Sequence, residues 1–264
     1  MLLQTKNAVI YGAGGSLGGA VARAFAAAGA RVFLTGHRLA SVQQTADAIA
    51  ASGGRAEVAI VDAFDEAAVN RHLDSVVASA GTVDISFNAV DTPLIQGIPL
   101  TEISVDEVIR PVTQMLQTRF LTARAAAKRM MQQRSGVILS LTATPGGIGY
   151  PYTGGFALAC SAIEKLSSNL AAELGSYGIR VVNIRSGGSP DSRVFREAID
   201  RDPAVMEEVL AQMRRDTMLK GLPLMADIAN VAVFLASDMA GKITGVTVDV
   251  TAGTTAGLNY RANT

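Results

Sequence analysis

The sequence predicts a single α/β domain built on a doubly wound parallel sheet with helices on both faces. Three observations predict it. Short apolar runs alternate with segments of helical periodicity along the chain. A glycine-rich turn separates the first apolar run from the first helical segment. The chain shows no linker, repeat or low-complexity segment, so we expect residues 1–264 to form one domain.

The first unit is a strand, a turn, a helix and a second strand. Strands are expected at residues 8–11 and 31–35, and a helix at 17–28 that ends at Gly29. Glycines let the backbone approach a pyrophosphate, and the helix N-terminus offers it free N–H groups. A tight turn without a ligand is the alternative. We expect dinucleotide binding by Gly12, Gly14, Gly15, Ser16, Leu17 and Gly18.

The end of the second strand favours NADP(H) over NAD(H). Gly36 occupies the place where an NAD-binding unit carries a ribose-binding carboxylate, and His37 and Arg38 follow it. A guanidinium pairs strongly with a phosphate, so Arg38 is expected to meet the 2′-phosphate of NADP. The alternative for Arg38 is a surface arginine on the next helix.

The alternation continues to the end of the chain. Helices are predicted at 40–51, 65–79, 105–133, 152–174 and 226–237, and strands at 56–61, 83–88, 136–141, 179–185 and 246–250. Residues 189–219 are less regular and densely charged. We expect a pair of solvent-exposed helices there. A more specific interpretation, compatible with the first, is a mobile lid over the carboxyl end of the sheet.

Composition excludes several classes of function. Lys+Arg and Asp+Glu both number 23, so charge gives no case for binding nucleic acid or an anionic membrane. No apolar run reaches membrane-spanning length, and no signal peptide is evident. The single cysteine excludes an intramolecular disulfide and suits the cytoplasm. No cluster of metal ligands is expected.

Several motifs, in their order and spacing, resemble those of the short-chain dehydrogenase/reductase family. Residues 12–18 resemble its TGxxxGxG turn, and residues 84–90 resemble the strand that ends in NNAG. Residues 172–181 resemble the stretch after its active-site helix, and residues 234–253 its FLaSd…ITG…DGG tail. The resemblance implies a Rossmann fold and NAD(P)(H) binding. It adds to the cofactor site His37, Asp62, Ala63, Asn88, Ala89 and Gly187.

The resemblance also implies a catalytic tetrad of Ser, Tyr, Lys and Asn, which this sequence lacks. Aligned with the family, the Tyr and Lys positions are Phe156 and Cys160, the Ser position is Ala143, and the Asn position is Met115. Phe156 and Cys160 keep their helical spacing, so both side chains are expected to face the nicotinamide pocket. Phe156 has no proton to give, and Cys160 cannot supply a fixed positive charge.

Nearby hydroxyls are possible substitutes for the missing groups. Thr142 adjoins the Ser position, and Tyr150 and Tyr152 lie in the loop that the resemblance puts at the mouth of the cleft. Cys160 as a nucleophile is the weaker hypothesis, because no basic neighbour is near it in sequence. A small buried cysteine that packs the helix is expected instead.

Three functions remain open. In the first, the chain is a reductase that prefers NADP(H) and acts on a substrate that needs little acid catalysis, such as an activated double bond or an iminium. Alternatively, it is a catalytically silent cofactor-binding regulator or inactive subunit, or a non-redox enzyme that reuses the cleft. The helices at 105–133 and 152–174 resemble those of the family's four-helix interface, which implies a homodimer or homotetramer.

Overall fold

A parallel sheet of seven strands organises the computed structural model, which describes residues 1–257. The strand order is β3-β2-β1-β4-β5-β6-β7, so the direction of winding reverses between β1 and β4. The doubly wound fold is thereby confirmed. The strands are β1 (Asn7–Tyr11), β2 (Arg31–Gly36), β3 (Arg55–Ile60), β4 (Ile85–Asn88), β5 (Gly136–Ala143), β6 (Ile179–Ser186) and β7 (Thr247–Val250).

Helices cover both faces of the sheet. The first, second and eighth helices pack together on one face, and the third, fourth and fifth on the other. In the described residues they are α1 (Ser16–Ala27), α2 (Leu39–Ala51), α3 (Glu66–Ala80), α4 (Val105–Gln133), α5 (Gly155–Leu174), α6 (Arg193–Arg201), α7 (Pro203–Arg215), α8 (Met225–Ala236) and α9 (Thr254–Gly257). None of these is long and apolar enough to cross a membrane.

The alternation of side chains along β1 divides the core into two layers. Ala8 and Ile10 point into the layer under α1 and α8, whereas Val9 and Tyr11 point into the layer under α3 and α4. All of β1 is buried, as its apolar sequence predicts for a central parallel strand. The central strands therefore hold the glycine turn at a fixed place.

Most element bounds lie within two residues of the predicted ones, and the main exception is α5. This helix begins at Gly155, not at residue 152, because Tyr152 and Gly154 have φ angles of 60° and 53°. Neither angle belongs to a right-handed helix. Strand β5 runs two residues further than predicted, which makes Ala143 its last residue. Tyr152 therefore lies in a loop and not on α5.

The irregular stretch after β6 forms the expected helical pair. Helix α6 buries none of its residues, and α7 buries Leu210 alone. The backbone N–H of Arg193, the first residue of α6, donates to the Ser16 hydroxyl at 2.9 Å. The pair therefore lies over the glycine turn at the carboxyl end of the sheet. The predicted domain also includes residues 258–264, which lie outside the described residues.

Candidate functional site

A cavity of about 450 Å³ opens at the carboxyl ends of the central strands. Its wall includes the glycine turn, the ends of β5 and β6, and the loop after β4. Helices α4 and α5 close it from one side, and α6 and α7 from the other. This is the crevice beside the reversal of strand order, where open α/β sheets bind their ligands.

The glycine turn is shaped for a phosphate. Gly12 has φ +78°, and a Cβ there would lie 2.7 Å from the carbonyl oxygen of Ala89. A Cβ at Gly18 would collide with the Gly12 carbonyl. Helix α1 has no acidic residue in its first turn and no capping side chain, so its first N–H groups remain available. They suit a pyrophosphate, and the turn residues on the cavity wall are Gly15, Ser16, Leu17 and Gly18.

The ends of β2 and β3 form a second group of predicted cofactor residues, outside the cavity. His37 Nε2 lies 3.7 Å from Asp62 Oδ1, and Asp62 also accepts from the backbone of Phe64 at 2.8 Å. The exposed Arg38 forms no ion pair with any residue in the range 1–257. A Cβ on Gly36 would lie 2.8 Å from Val42, so a longer side chain there requires movement. Basic groups and one carboxylate thus surround the expected adenosine position.

The loop after β4 is fixed by Asn88. Its amide donates to Thr122 Oγ1 at 2.9 Å and to the Thr118 carbonyl at 3.2 Å, and its oxygen accepts from the Val90 N–H at 2.9 Å. These bonds hold the loop after β4 in place, and Asn88 itself is not on the cavity wall. Its neighbour Ala89 lines the cavity, as does Gly187 after β6.

The tetrad positions form an apolar corner of the cavity. Met115, Ala143 and Phe156 line it, and Met115 and Phe156 pack in one cluster with Ala159 and Ile163. A thioether, a methyl group and a phenyl ring have no acidic proton. None of these side chains can act as a general acid.

The expectation that Cys160 faces the pocket is wrong. Its side chain is fully buried and is not on the cavity wall. The loop after β5 covers it, because a Cβ on Gly146 would lie 2.8 Å from the Cys160 Cβ. Burial raises the pKa of the thiol to about 11, which excludes a nucleophilic thiolate at neutral pH. Cys160 is instead a small buried residue that packs α5, which was the expected alternative to a nucleophile.

Of the three possible substitutes, only Tyr150 keeps an available hydroxyl on the cavity wall. Thr142 also lines the cavity, but its hydroxyl donates to Glu164 Oε1 at 2.9 Å. Tyr152 is 56% exposed and does not line the cavity. Burial, together with the charge of Asp216, raises the pKa of the Tyr150 phenol, so the phenol stays protonated at neutral pH. Tyr150 can therefore donate a hydrogen bond, but it is a weak acid.

Sequence reasoning missed two polar groups on the wall. Arg119 is 6% exposed, and its Nη1 donates to the Val90 carbonyl at 2.7 Å. Burial lowers the pKa of its guanidinium to about 10, so it remains charged at neutral pH. Its place on α4, four residues after the buried Met115, was the available signal. The hydroxyl of Ser189 is buried without a partner among the described residues, and no sequence signal marks it.

Comparisons with known proteins agree with this architecture. The family model for enoyl-(acyl carrier protein) reductase matches residues 12–255. Tropinone reductase-like 2 of Erythroxylum coca is 33% identical over 258 residues, which cover 95% of this chain and 90% of that protein. A 3-oxoacyl-(acyl-carrier-protein) reductase of Chlamydia trachomatis is 29% identical, with 96% and 98% covered. The crystal structure of levodione reductase superposes with a TM-score of 0.88 at 25% identity and covers 96% of this chain and 99% of that one. The chain belongs to the short-chain dehydrogenase/reductase family of oxidoreductases.

Proposed function

We propose that this chain is an NADP(H)-preferring reductase whose substrate carries an activated double bond or an iminium group. One observation carries the proposal. The cavity keeps a glycine turn that suits a dinucleotide, whereas Met115 and Phe156 make its catalytic corner apolar. The reduction of simple ketones and the oxidation of simple alcohols are impaired as a consequence, since both reactions move a proton at the substrate oxygen.

The chain's own residues bind and orient in this proposal. Bound NADPH supplies the hydride. The N-terminus of α1 holds the pyrophosphate, Arg38 pairs with the 2′-phosphate, and the apolar corner around Phe156 keeps water from the reacting carbon. An iminium carbon that accepts the hydride becomes part of a neutral amine, so this reduction needs no proton. A conjugated double bond accepts the hydride at the carbon β to its carbonyl, and the resulting enolate takes one proton from water. Neither substrate requires a strong acid on the cavity wall.

The names of the matched family and its relatives support a reductase. The family model is described by its enoyl substrate, which is a double bond conjugated to a carbonyl. The relatives from Erythroxylum coca and Chlamydia trachomatis are likewise described as reductases. These descriptions belong to those proteins, and they favour reduction as the direction for this one.

A panel of substrates tests the reaction class. The unmutated chain is mixed with NADPH or NADH and with simple ketones, conjugated enones and cyclic iminium ions, and absorbance at 340 nm is followed. We expect turnover of enones or iminium ions with NADPH and little with ketones. Robust ketone turnover that survives both Tyr150→Phe and Tyr152→Phe would contradict the proposal.

Isothermal titration tests the cofactor preference. We expect NADPH to bind more tightly than NADH, and Arg38→Ala to remove most of the difference, because the exposed guanidinium of Arg38 is unpaired in residues 1–257. Arg55→Ala is the matched control, since Arg55 is also exposed but begins β3 at the opposite end of the sheet. Equal affinity of the unmutated chain for both cofactors would contradict the preference.

A silent cofactor-binding protein is the second candidate. The apolar side chains at the tetrad positions favour this candidate as well. Cofactor binding needs no general acid, so a cavity of this kind can bind NADPH without supporting turnover. The two candidates differ in a single measurement. NADPH binding without consumption across the whole panel supports the silent protein and rejects the reductase.

We also propose that the chain forms a homodimer or homotetramer through α4 and α5. Both helices carry large apolar side chains that are at least 40% exposed, which are Val105, Ile109, Phe120 and Leu158. Pairing of copies would bury them. Light scattering at micromolar concentration should give at least twice the chain mass of 27.4 kDa. A monomer at that concentration rejects the assembly.

A further inference from the structure

The cavity combines an apolar wall with one buried cation. Of the charged residues that line it, Asp91 and Arg193 are exposed and Asp216 is half-buried, whereas Arg119 is buried. Most of the remaining wall is hydrocarbon or thioether, contributed by Leu94, Met115, Leu141, Phe156, Phe195 and Met213. A ligand that matches this wall is apolar over most of its surface and polar at one place.

The hydrogen bonds of Arg119 leave part of its guanidinium without a partner. Nη1 donates to the Val90 carbonyl at 2.7 Å and to Thr118 Oγ1 at 3.2 Å, and both acceptors are neutral. Nε is buried and donates to no described residue. A guanidinium has five N–H donors in one plane. Buried charges in proteins are normally paired with an opposite charge, and within residues 1–257 no ion pair includes Arg119.

We propose that Arg119 is the binding site for the carboxylate of a small apolar acid, whose hydrocarbon part lies against the apolar wall. Nη2 donates to no described residue, so its N–H groups can donate to the carboxylate, whose negative charge neutralises that of Arg119. Asp91 on the same wall acts on Arg119 through its charge but forms no ion pair with it, and a neutral carbonyl group would bring no further negative charge. The site goes beyond the proposed reductase activity and does not depend on it.

A purely structural role for Arg119 makes a different prediction. Its bond to the Val90 carbonyl ties α4 to the loop after β4, and such a tie requires no ligand. In that case the cavity would bind an apolar acid and the matching neutral amide equally well. The two roles therefore differ in the charge preference of the cavity.

Matched acids and amides measure this preference directly. Calorimetric titration of the full chain without cofactor uses two pairs, trans-cinnamate with trans-cinnamamide and hexanoate with hexanamide. Within a pair the hydrocarbon part is the same and only the charge differs. We expect each acid to bind at least about tenfold more tightly than its amide, because a charge-assisted pair is stronger than a neutral one. Equal binding, or no binding of either acid, overturns the proposal.

Two substitutions of Arg119 test whether this residue causes the preference for the acid over the amide. Arg119→Met keeps a long stem without charge and should remove the preference for the acid, whereas Arg119→Lys should retain part of it. Arg193→Met is the control, because Arg193 lines the same cavity from an exposed position and pairs with Glu197 at 3.6 Å. The preference should survive this control. A folded Arg119→Met variant that still prefers acids overturns the proposal, and so does an Arg193→Met variant that loses the preference.

The comparison of acid with amide needs no variant. It therefore distinguishes a ligand-binding role of Arg119 from a structural one even if Arg119→Met fails to fold. The Arg193→Met variant shows in addition that the preference for the acid does not come from the exposed Arg193. Failure of the reductase proposal would look different. A chain that prefers cinnamate to cinnamamide but never consumes NADPH keeps this site and loses the proposed reaction.

Discussion

The hydroxyl of Thr142 donates to Glu164 Oε1 at 2.9 Å, and the same hydroxyl accepts from the Asn183 amide at 2.7 Å. Glu164 is held in turn by Arg185, whose Nε and Nη2 reach the two carboxylate oxygens at 3.0 and 2.6 Å. Thr142 thus belongs to a polar network behind the cavity wall. Its proton is directed away from any substrate.

Replacing Thr142 with valine should therefore reduce stability. The change leaves Glu164 and Asn183 each without one hydrogen-bond partner, and we expect a loss of about 1–3 kcal/mol in the free energy of unfolding. Urea denaturation measures it. Thr142→Ser keeps the hydroxyl and serves as the control. A Thr142→Val variant as stable as the unmutated chain would show that the network does not stabilise the fold.

Tyr150 and Tyr152 should behave differently towards substrates. Tyr150 lines the cavity, and its raised pKa keeps the phenol protonated, so Tyr150→Phe removes a hydrogen-bond donor. For an enone that is turned over, we expect kcat/KM to fall by about tenfold or more, since one donor to an oxygen that gains charge is worth at least that. An iminium ion has no such oxygen, so its turnover should change little. Tyr152→Phe should change nothing. Equal effects of the two substitutions would contradict the assigned positions.

The pH dependence of that reaction follows from the same phenol. Because the pKa of Tyr150 is raised above its usual value near 10, the donor remains protonated across pH 6–9. The Tyr150 phenol should therefore contribute no ionisation to a profile of kcat/KM over this range. A loss of rate with an apparent pKa below 9 that disappears in Tyr150→Phe would contradict this assignment.

Cys160 should be inert in the native protein. With a pKa of about 11, only about one thousandth of the thiol is ionised at pH 8, and the side chain is fully buried. We expect a thiol reagent such as DTNB to react at least 100-fold more slowly with the native chain than with the urea-unfolded chain. The chain has a single cysteine, so the signal is unambiguous. Comparable rates would place Cys160 at the surface.

His72 should make the fold sensitive to acid. Burial lowers the pKa of its imidazole to about 4, although Glu57 opposes the shift, and Nδ1 is buried without a described partner. The folded state thus binds the proton less readily than the unfolded state, whose histidine has a pKa near 6.5. Stability from this group is complete above pH 6.5 and is lost as the pH falls towards 4. The full loss is about 3 kcal/mol, at about 1.4 kcal/mol per pKa unit.

Denaturation curves between pH 4 and pH 7 test this loss. His72→Gln should flatten the dependence, because glutamine does not titrate. His37→Gln is the matched control, since the His37 side chain is 57% exposed. If His72→Gln shows the same acid dependence as the unmutated chain, the carboxylates and not His72 cause the loss.

The sequence predicted the glycine turn, strand β1 and helix α4, where residues close together in sequence determine the conformation. The glycine turn and the buried strand β1 follow from short apolar runs and from residues that tolerate close backbone approach. Helix α4 has its predicted bounds, and a capping box between Ser104 and Glu107 marks its start. In these segments neighbouring residues decide the conformation, so periodicity is sufficient.

The errors lie where tertiary packing decides. The late start of α5 depends on the left-handed conformation of Tyr152, which hydrophobic periodicity does not reveal. Spacing along α5 predicted that Phe156 and Cys160 share a direction, but the loop after β5 covers only Cys160. The burial of Arg119 likewise depends on how α4 packs against the loop after β4. Sequence alone describes each helix but not its surroundings.

Residue 16 carries a further consequence. The turn of the family that the sequence resembles has glycine at this place, and glycine has no side chain to accept the N–H of Arg193 as the Ser16 hydroxyl does. That bond satisfies a free N–H at the start of α6 and joins residues 177 positions apart. Movement of α6 away from the glycine turn requires breaking this hydrogen bond. The Ser16 hydroxyl therefore ties the part of the cavity wall formed by α6 to the glycine turn, and outward movement of this end of α6 costs that hydrogen bond.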